Sequence, residues 1–278
     1  MDGGGTHISF SVITEENIQT FEEKTGVNLT SISEKQLKSI FEDIKEKVGL
    51  VDGIVVSFSG AGTEKRKKYL KDLLLEIFNT DNLIIYNDGE SILYSLYNGE
   101  NLALVIAGTG SLVMGMNEKK EIIRSGGWGH LFDDVGGGFW ISTRIIQEAF
   151  KYRDNLRNFD SIFDDLKEFY SVNSIEELTS LQGLNNFKTV ISSFTEKALN
   201  EPTDVVKEIV DEGIKDLALR SKSMLKNLGI KKIYLYGSLF KSFYYLNNFQ
   251  NAMKSYFLLP ININVSVEMA KLAQKYFS

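Results

Sequence analysis

Four short segments rich in glycine or acidic residues lie within residues 87–140. They read NDGES (87–91), AGTGS (107–111), SGGWGH (125–130) and FDDVGGGFW (132–140). The apolar runs 83–86 and 102–107 directly precede the first two, and runs of this length are typical of buried strands. Glycine turns after such strands can present backbone N–H groups to an anion, and open α/β sheets bind ligands at that edge. The sequence therefore predicts an α/β fold with a ligand site at the carboxyl ends of its strands.

The order of predicted elements divides the chain into two α/β halves. In the first half we predict strands at 7–13, 17–26, 53–62 and 83–86 and helices at 33–49, 64–79 and 89–97. In the second half we predict strands at 102–107, 111–116, 121–125, 231–238 and 261–267, with helices at 239–257 and 268–277. We assign residues 1–99 to an N-terminal domain and 100–278 to a C-terminal domain that carries a helical insertion at about 141–228. This order suggests a duplicated fold with a cleft between its halves.

The N-terminal glycine turn DGGGT (2–6) lacks a long strand in front of it. A glycine turn between two strands needs several apolar residues on each side, and the chain supplies a single methionine before Asp2. Either the true start lies upstream or the first strand is truncated.

Composition excludes several classes of function. The 37 acidic and 31 basic residues give a formal charge of −6, which argues against nucleic-acid binding, and we read the basic run 64–71 as a solvated helix face. The absence of cysteine excludes disulfides, thiolate-bound zinc, iron–sulfur clusters and cysteine nucleophiles. There is no P-loop, no apolar stretch as long as a membrane span and no signal-peptide pattern, so we expect a cytoplasmic protein.

Six motifs taken together resemble one family. They are DGGGT (2–6), NDG (87–89), AGTGS (107–111), GGWGH (126–130), Asp134 with the glycines after it, and YGSLFKS (236–242). In this order they resemble the N-acetylglucosamine kinase family, within the BadF/BadG/BcrA/BcrD-type ATPases and the actin-like sugar-kinase superfamily. The resemblance covers nearly the whole chain. It implies two RNase H-like domains in an actin-like ATPase arrangement, with a central cleft between them. By this resemblance the two domains close on ATP, Mg²⁺ and an amino sugar.

By resemblance, three segments bind the nucleotide. Asp2 would hold Mg²⁺, through water, because Mg²⁺ keeps several waters and takes one or two carboxylates. The residues implied in ATP and phosphate binding are Gly3, Gly4, Gly5, Thr6, Gly108, Thr109, Gly110, Gly237, Ser238 and Lys241. The glycines allow close backbone approach to the phosphates, and Thr109 offers a hydroxyl. These roles agree with phosphoryl transfer, in which catalysis is mostly positioning and neutralisation of charge.

The resemblance also implies a catalytic base and a sugar pocket. Asp88 would take the proton of the attacking sugar 6-hydroxyl. The residues implied in sugar binding are Asn28, Asp88, Ser111, Gly127, Trp128, Gly129, His130 and Asp134. Each of three residues also has an alternative, purely structural role: Asp88 as a helix N-cap, Trp128 as a core residue and His130 as a structural histidine. Two positions depart from the family pattern, Leu112 where a polar residue is common and Met269 where the last helix usually carries glycine.

The resulting hypothesis is that the protein is an ATP-dependent kinase that phosphorylates the 6-hydroxyl of an amino sugar. N-acetylglucosamine is the expected substrate. Glucosamine, N-acetylmannosamine and N-acetylmuramic acid are alternative substrates, since a few atoms in the pocket separate them. A second class is a non-catalytic ATP-binding regulatory module of the same fold. Dehydratase activators and zinc-containing sugar kinases of related folds need cysteines that this chain lacks. By resemblance a homodimer is also possible.

Overall fold

A computed structural model describes residues 1–4, 8–15, 17–23, 32–61 and 63–278. The backbone contacts divide the chain into two compact units: Met1–Asn98 with Ile263–Ser278, and Gly99–Asn262. Each unit has its own hydrophobic core. Within the described ranges, no helix is both long and apolar enough to cross a membrane.

The first unit contains a mixed five-stranded sheet. Its strands are β1 (Asp2–Gly3), β2 (Ile8–Ile13), β3 (Ile18–Glu23), β4 (Ile54–Phe58) and β5 (Leu83–Tyr86). The strand order is β3-β2-β1-β4-β5. Strand β1 pairs antiparallel with β2 and parallel with β4, and β4 pairs parallel with β5. Strand β4 is buried along its whole length, as expected for a central strand.

Helices pack on this sheet, and two of them begin at recognisable N-capping residues. They are α1 (Glu34–Val48), α2 (Glu64–Phe78), α3 (Asp88–Leu96) and, from the end of the chain, α9 (Val265–Phe277). Ser33 and Gln36 form a capping box at the start of α1, and Thr63 caps α2. The buried faces of α1 and α2 present Leu37, Phe41 and Leu70 to the core.

The first strand is present but short. Asp2 and Gly3 pair with Ser9 and Ile8 of β2, so β1 borders one end of the longer strand. Met1 is buried, and its amino group donates to the Val55 carbonyl at 2.8 Å. A cavity of about 530 Å³ lies beyond Met1, lined by residues of β2, β4, α1 and α9. The glycine turn therefore has a strand on its N-terminal side, but that strand has two residues.

The second unit also contains a mixed five-stranded sheet. Its strands are β6 (Leu102–Ala107), β7 (Ser111–Met116), β8 (Ile122–Ser125), β9 (Lys232–Tyr236) and β10 (Phe257–Pro260), in the order β10-β9-β6-β7-β8. Strands β6, β7 and β8 form an antiparallel meander, and β9 runs parallel to both β6 and β10. The predicted bounds of β6 and β7 are confirmed.

Helices make up most of the rest of this unit. They are α4 (Gly138–Arg153), α5 (Ile162–Tyr170), α6 (Phe187–Asn200), α7 (Asp204–Leu228) and α8 (Phe243–Ala252), with 3₁₀ turns at Glu176–Gly183 and Ser238–Lys241. The run from α4 to α7 corresponds to the predicted helical stretch. Tyr245 of α8 is fully buried, and its hydroxyl donates to the Gly136 carbonyl at 2.7 Å.

Two predictions near the C-terminus are wrong. The predicted strand at 261–267 is not one: the strand is β10, and α9 already begins at Val265, because the Asn264 side chain caps it by accepting from the Val267 N–H. The predicted second domain ran to residue 278, whereas α9 packs on β2 and β4 of the first unit. Burial of Val265, Met269 and Leu272 against that sheet explains the placement.

Candidate active site

In the first unit, three parallel strands end in register at one edge of the sheet. Asp2 of β1 lies beside Ser57 of β4, and Ser57 lies beside Tyr86 of β5. The residues that follow, Gly4 and Asp88, each stand two positions beyond this row. Since neighbouring strands lie about 4.8 Å apart, the ends of β1 and β5 are separated by about 10 Å. The structure thus brings Gly4 and Asp88 to the same edge of the sheet.

Asp88 is the first residue of α3, and its side chain is exposed. The cap of α3 is Asn87 rather than Asp88: the Asn87 side chain accepts from the Glu90 N–H at 2.9 Å, and the Glu90 carboxylate accepts from the Asn87 N–H at 3.0 Å. The capping box of α3 is therefore formed by Asn87 and Glu90 and does not involve the Asp88 side chain. Lys67 of α2 pairs with Glu90 at 3.0 Å and so ties the start of α3 to its neighbour.

Part of the predicted site lies outside the described residues. Gly5, Thr6 and Asn28 are not described, so their implied roles stay predictions. Gly3 is buried and Gly4 is half-buried at the end of β1, and the Ser59 N–H donates to the Gly3 carbonyl at 2.9 Å.

In the second unit, the turn between β6 and β7 is held by the start of α4. The Gly108 N–H donates to the Gly110 carbonyl at 2.9 Å and closes the turn. The Gly138 and Phe139 N–H groups donate to the carbonyls of Gly108 and Thr109 at 2.8 and 2.9 Å. The Thr109 side chain is exposed. The turn is therefore held by hydrogen bonds to the start of α4, while the Thr109 side chain is exposed to solvent.

The segment after β9 lies directly beside this turn. Ile106 pairs with Tyr236, which places Gly237 next to Ala107. Gly237 has φ of 118°, and a side-chain carbon there would overlap the Ala107 carbonyl. Ser238 and Lys241 are exposed in the 3₁₀ turn that follows. The predicted phosphate turn and the predicted adenosine segment are thus neighbours in space.

Residues 126–134, which connect β8 to the region before α4, form a loop with unusual backbone geometry. Gly126, Gly127, Gly129 and Asp134 all have φ between 61° and 99°. Trp128 is 66% exposed, so the reading of this side chain as core is wrong. The Arg124 guanidinium lies over its ring at 4.7 Å and also donates to the carbonyls of Gly126 and Gly127.

Two buried carboxylates hold this loop together. Asp133 accepts from the Trp128 N–H at 3.3 Å, and Asp134 accepts from the Gly129 N–H at 3.3 Å. Burial raises the pKa of the Asp134 carboxyl, against the opposing effects of Lys188 and the Gly129 N–H. Asp134 also lies against Gly110: a side-chain carbon at Gly110 would stand 2.7 Å from Asp134 Oδ2. The loop and the 107–111 turn therefore adjoin.

His130 sits among aromatic rings. Its ring packs edge-on against Phe139 at 5.1 Å and Phe187 at 5.7 Å between centroids. Burial lowers the pKa of the His130 imidazole, and the charge of Lys188 lowers it further. A neutral imidazole has one donor and one acceptor nitrogen, which suits it to contact a hydroxyl or an amide.

The environment of Ser111 differs from the predicted one. Its side chain is buried, and its hydroxyl donates to the Val135 carbonyl at 2.7 Å. This bond joins the start of β7 to the glycine run before α4. The neighbouring Leu112 is half-buried and packs near Gly127. Ser111 thus has a structural role that sequence reasoning did not identify.

Other residues, outside the predicted set, also shape the site. Asn87 and Glu90 match the spacing of a capping box, and that signal was available. The ion pair of Arg220 with Asp133, at 2.9 Å, joins residues 87 positions apart, and no local pattern announces it. Lys67 belongs to the basic run that we predict to be a solvated helix face, yet it is half-buried against Glu90.

Replacing Asp134 with Asn is expected to raise the melting temperature, and more at pH 8 than at pH 5. Since burial raises the pKa of Asp134 in the folded state, the ionised carboxylate costs stability above that pKa, and the cost disappears below the pKa of the unfolded chain. Asn keeps an acceptor for the Gly129 N–H and tolerates the positive φ. Thermal unfolding at several pH values measures the difference.

The neighbouring Asp133→Asn serves as the control for this experiment. That variant loses a charge-assisted bond to Arg220 and should be less stable than the wild-type protein at pH 8. A stabilising effect of Asp134→Asn that is the same at both pH values would contradict the proposed cause.

The chain matches the BadF/BadG/BcrA/BcrD ATPase family over residues 1–270. It is 27% identical over 252 residues to the N-acetylmuramic acid/N-acetylglucosamine kinase of Clostridium acetobutylicum, a match that covers 84% of this chain and 82% of the relative. It is 29% identical over 209 residues to the N-acetyl-D-glucosamine kinase of Dictyostelium discoideum, covering 65% of this chain and 62% of the relative.

Among solved structures, the fold is similar to that of a candidate N-acetylglucosamine kinase from Porphyromonas gingivalis. The TM-score is 0.80 at 16% identity, and the superposition covers 100% of this chain and 98% of the other. At this identity the likeness establishes the fold. The mixed α/β fold with two five-stranded sheets agrees with the predicted fold class of two RNase H-like, actin-like ATPase domains.

Proposed function

The chain belongs to the BadF/BadG/BcrA/BcrD ATPase family, and from this membership we propose that it is an ATP-dependent kinase of an amino sugar. N-acetylglucosamine is the proposed first substrate, and its 6-hydroxyl is the proposed acceptor. Both relatives described above are named as kinases of N-acetylglucosamine, one of them also of N-acetylmuramic acid.

The observation that carries the proposal is the row of strand ends in the first unit. The exposed residue Asp88 and Gly4, which follows β1, share one sheet edge, where the ends of β5 and β1 are about 10 Å apart by strand spacing. That separation leaves room for a phosphoryl group and an attacking hydroxyl between them. A general base must reach the proton that it abstracts, and Asp88 has the exposure that this requires.

In the proposed reaction the sugar hydroxyl oxygen forms a bond to the γ-phosphorus of ATP. The bond between that phosphorus and the β,γ-bridging oxygen breaks, and ADP leaves. Asp88 accepts the hydroxyl proton. The backbone N–H groups of the glycine turns and the Thr109 hydroxyl hold the phosphates in place for in-line transfer.

The residues at the end of β1 fit a magnesium ion held mainly by water and phosphate. Asp2 is half-buried at the sheet edge, and a carboxylate is the kind of hard oxygen ligand that Mg²⁺ takes. Among the described residues, no group of three or more His, Cys, Asp or Glu side chains is placed to hold a metal. Because Mg²⁺ keeps several waters and takes one or two carboxylates, we propose that water and phosphate oxygens would join Asp2. Mg²⁺, when bound, neutralises charge on the β- and γ-phosphates.

In the second unit, Gly108, Thr109 and Gly110 are proposed to contact phosphates, and Gly237, Ser238 and Lys241 the adenosine. Their adjacency across β6 and β9 supports a single nucleotide site. The sugar is proposed to contact the loop of residues 126–134 through Trp128, His130 and Asp134. A carboxylate can accept from two sugar hydroxyls at once, and an exposed indole offers a flat apolar face. Ser111 is left out of this set because its hydroxyl is bonded to Val135.

A coupled assay of ADP release tests the proposal. ATP and Mg²⁺ are supplied with N-acetylglucosamine, N-acetylmuramic acid, N-acetylmannosamine, glucosamine or no sugar. N-acetylglucosamine should stimulate ADP release, and mass spectrometry with ³¹P NMR should identify a 6-phosphate product. The proposal is wrong if none of these sugars raises ADP release above the rate without sugar.

N-acetylmuramic acid is the second candidate substrate, supported by the name of the Clostridium acetobutylicum relative. It carries a lactyl ether on the 3-oxygen that N-acetylglucosamine lacks, so the ratio of kcat/KM for the two sugars measures whether the pocket accepts that group. Equal values would indicate a pocket open at this position.

A further inference from the structure

We propose that Arg220 is a positioning residue for the sugar site, acting through Asp133 on the loop of residues 126–134. The inference rests on the proposed function in that this loop is the part assigned to the sugar. It concerns a residue on a distant helix that carries no recognised motif. One guanidinium group contacts both ends of the loop.

The guanidinium binds Asp133 through two nitrogens. Nη2 lies 2.9 Å from Asp133 Oδ1, and Nη1 lies 3.4 Å from Asp133 Oδ2. The Asp133 side chain is 7% exposed and that of Arg220 is 26% exposed, so the pair is largely removed from water. A planar fork that meets a carboxylate in this way restrains its orientation as well as its position.

Asp133 passes this restraint to Trp128. The same Oδ2 that faces Nη1 accepts from the Trp128 N–H at 3.3 Å. The chain between them therefore forms a closed loop of six residues whose two ends are joined by one carboxylate. Trp128 and His130 lie inside this loop, and Asp134 follows it directly.

Arg220 also lies against the beginning of the segment. A side-chain carbon at Gly126 would stand 2.6 Å from Arg220 Nη1, so the glycine is what allows the guanidinium this approach. Gly126 has φ of 81°, which favours glycine in any case. Arg220 thus contacts residue 126 at one end of the segment and residue 133 near the other.

The helix that carries Arg220 is a rigid base for this contact. One face of α7 is buried against β6 and β7, where Met224 and Leu228 pack closely over Gly115. One turn before Arg220, Asp216 accepts from its Nε at 2.5 Å and orients the guanidinium before it meets Asp133. Displacement of the loop would have to break the ion pair, because α7 is held by the core.

The test uses three variants in the full chain. Arg220→Gln removes the charge and the fork, Arg220→Lys keeps a single point charge, and Arg220→Gln/Asp133→Asn removes both charges together. Arg153→Gln is the matched control, because Arg153 also forms ion pairs, with Asp154 and Glu176, but on an exposed surface. All are also made in a Trp140→Phe background, which leaves Trp128 as the only tryptophan of the chain.

Two readouts are measured. Fluorescence anisotropy of Trp128 reports motion of the loop and needs no enzymatic activity. Steady-state kinetics report KM for the sugar and for ATP separately. In Arg220→Gln the anisotropy of Trp128 should fall. The KM for the sugar should rise about tenfold, because the loss of one charge-assisted hydrogen bond has an effect of this size, and the KM for ATP should stay close to that of the wild-type protein. Arg220→Lys should be intermediate, and the double variant should recover part of the loss.

The outcomes separate this inference from the proposed function. Wild-type anisotropy and a wild-type KM for the sugar in Arg220→Gln would overturn the positioning role of Arg220. Equal increases of the KM values for the sugar and for ATP would also overturn it, because they would show that Arg220 only stabilises the protein in general. If the wild-type protein phosphorylates no sugar while the anisotropy falls in Arg220→Gln, the proposed function fails and the role of Arg220 in the loop stands. Should Arg220→Gln fail to fold, the double variant and Arg220→Lys decide on the same readouts.

Discussion

Replacing Asp88 with Asn is expected to lower sugar-dependent ADP release by about 10²–10⁴-fold, the usual contribution of a positioned general base. The helix start should survive, because Asn87 and Glu90, not Asp88, form the capping box of α3. Asn has nearly the same shape as Asp but cannot take the hydroxyl proton at neutral pH. ATP binding, measured by calorimetry, should therefore remain close to that of the wild-type protein.

Asp81→Asn is the matched control for this experiment. Asp81 is also an exposed aspartate of the first unit, but it precedes β5, whereas Asp88 follows that strand. Its replacement removes the same charge from the opposite end of the strand and should leave activity unchanged. Wild-type turnover in Asp88→Asn would exclude Asp88 as the base, whereas a loss of ATP binding in that variant would indicate a role in the nucleotide site.

Gly237→Ala is expected to destabilise the protein by about 2–6 kcal/mol and to raise the KM for ATP. A residue with φ of 118° costs about 1–3 kcal/mol when it is not glycine, and overpacking adds about 1–3 kcal/mol. The added carbon would lie 2.6 Å from the Ala107 carbonyl carbon, so β9 must move away from β6. Thermal unfolding and ATP kinetics measure the two effects.

Two other glycines separate backbone strain from overlap. Gly229 has φ of 67° with nothing within 4 Å of an added carbon, so Gly229→Ala should cost about 1–2 kcal/mol from the left-handed backbone alone. Gly183 lies in open space without a positive φ, and Gly183→Ala should be close to neutral. A Gly237→Ala variant no less stable than Gly229→Ala would show that β9 and β6 are not held as closely as the structure places them.

Much of the fold was predictable because it depends on local patterns. The strands at 83–86, 102–107 and 111–116 were predicted with the bounds that the structure shows, since each is a short apolar run ended by a turn. The segment 261–267 was mistaken for a strand because its isoleucines and valines alternate with polar residues. Asn264, a side chain that caps helices, decides the structure there instead.

The candidate site was predictable in part. The turns around Asp88 and Gly108 are predictable because glycine and acidic residues after an apolar run are a local signal, whereas the DGGGT turn has only Met1 before it and rests on the family resemblance. The capping box of Asn87 and Glu90 at the start of α3 has a sequence signal, whereas no local pattern decides whether Trp128 is core or exposed. The exposure of Trp128 depends on which atoms surround its side chain after folding.

The sequence by itself determined the two α/β halves, most of the strands and helices, the family, and the turns that we propose to carry the chemistry. Local propensity, hydrophobic periodicity and the positions of glycines act over a few residues, so these signals are present in the sequence itself. Only the tertiary structure decided that α9 belongs to the first unit, that Gly237 must pass beside Ala107, and that Arg220 holds Asp133. These contacts join residues far apart in the chain, and their energies depend on burial and on atomic separation, which exist only once the chain has folded.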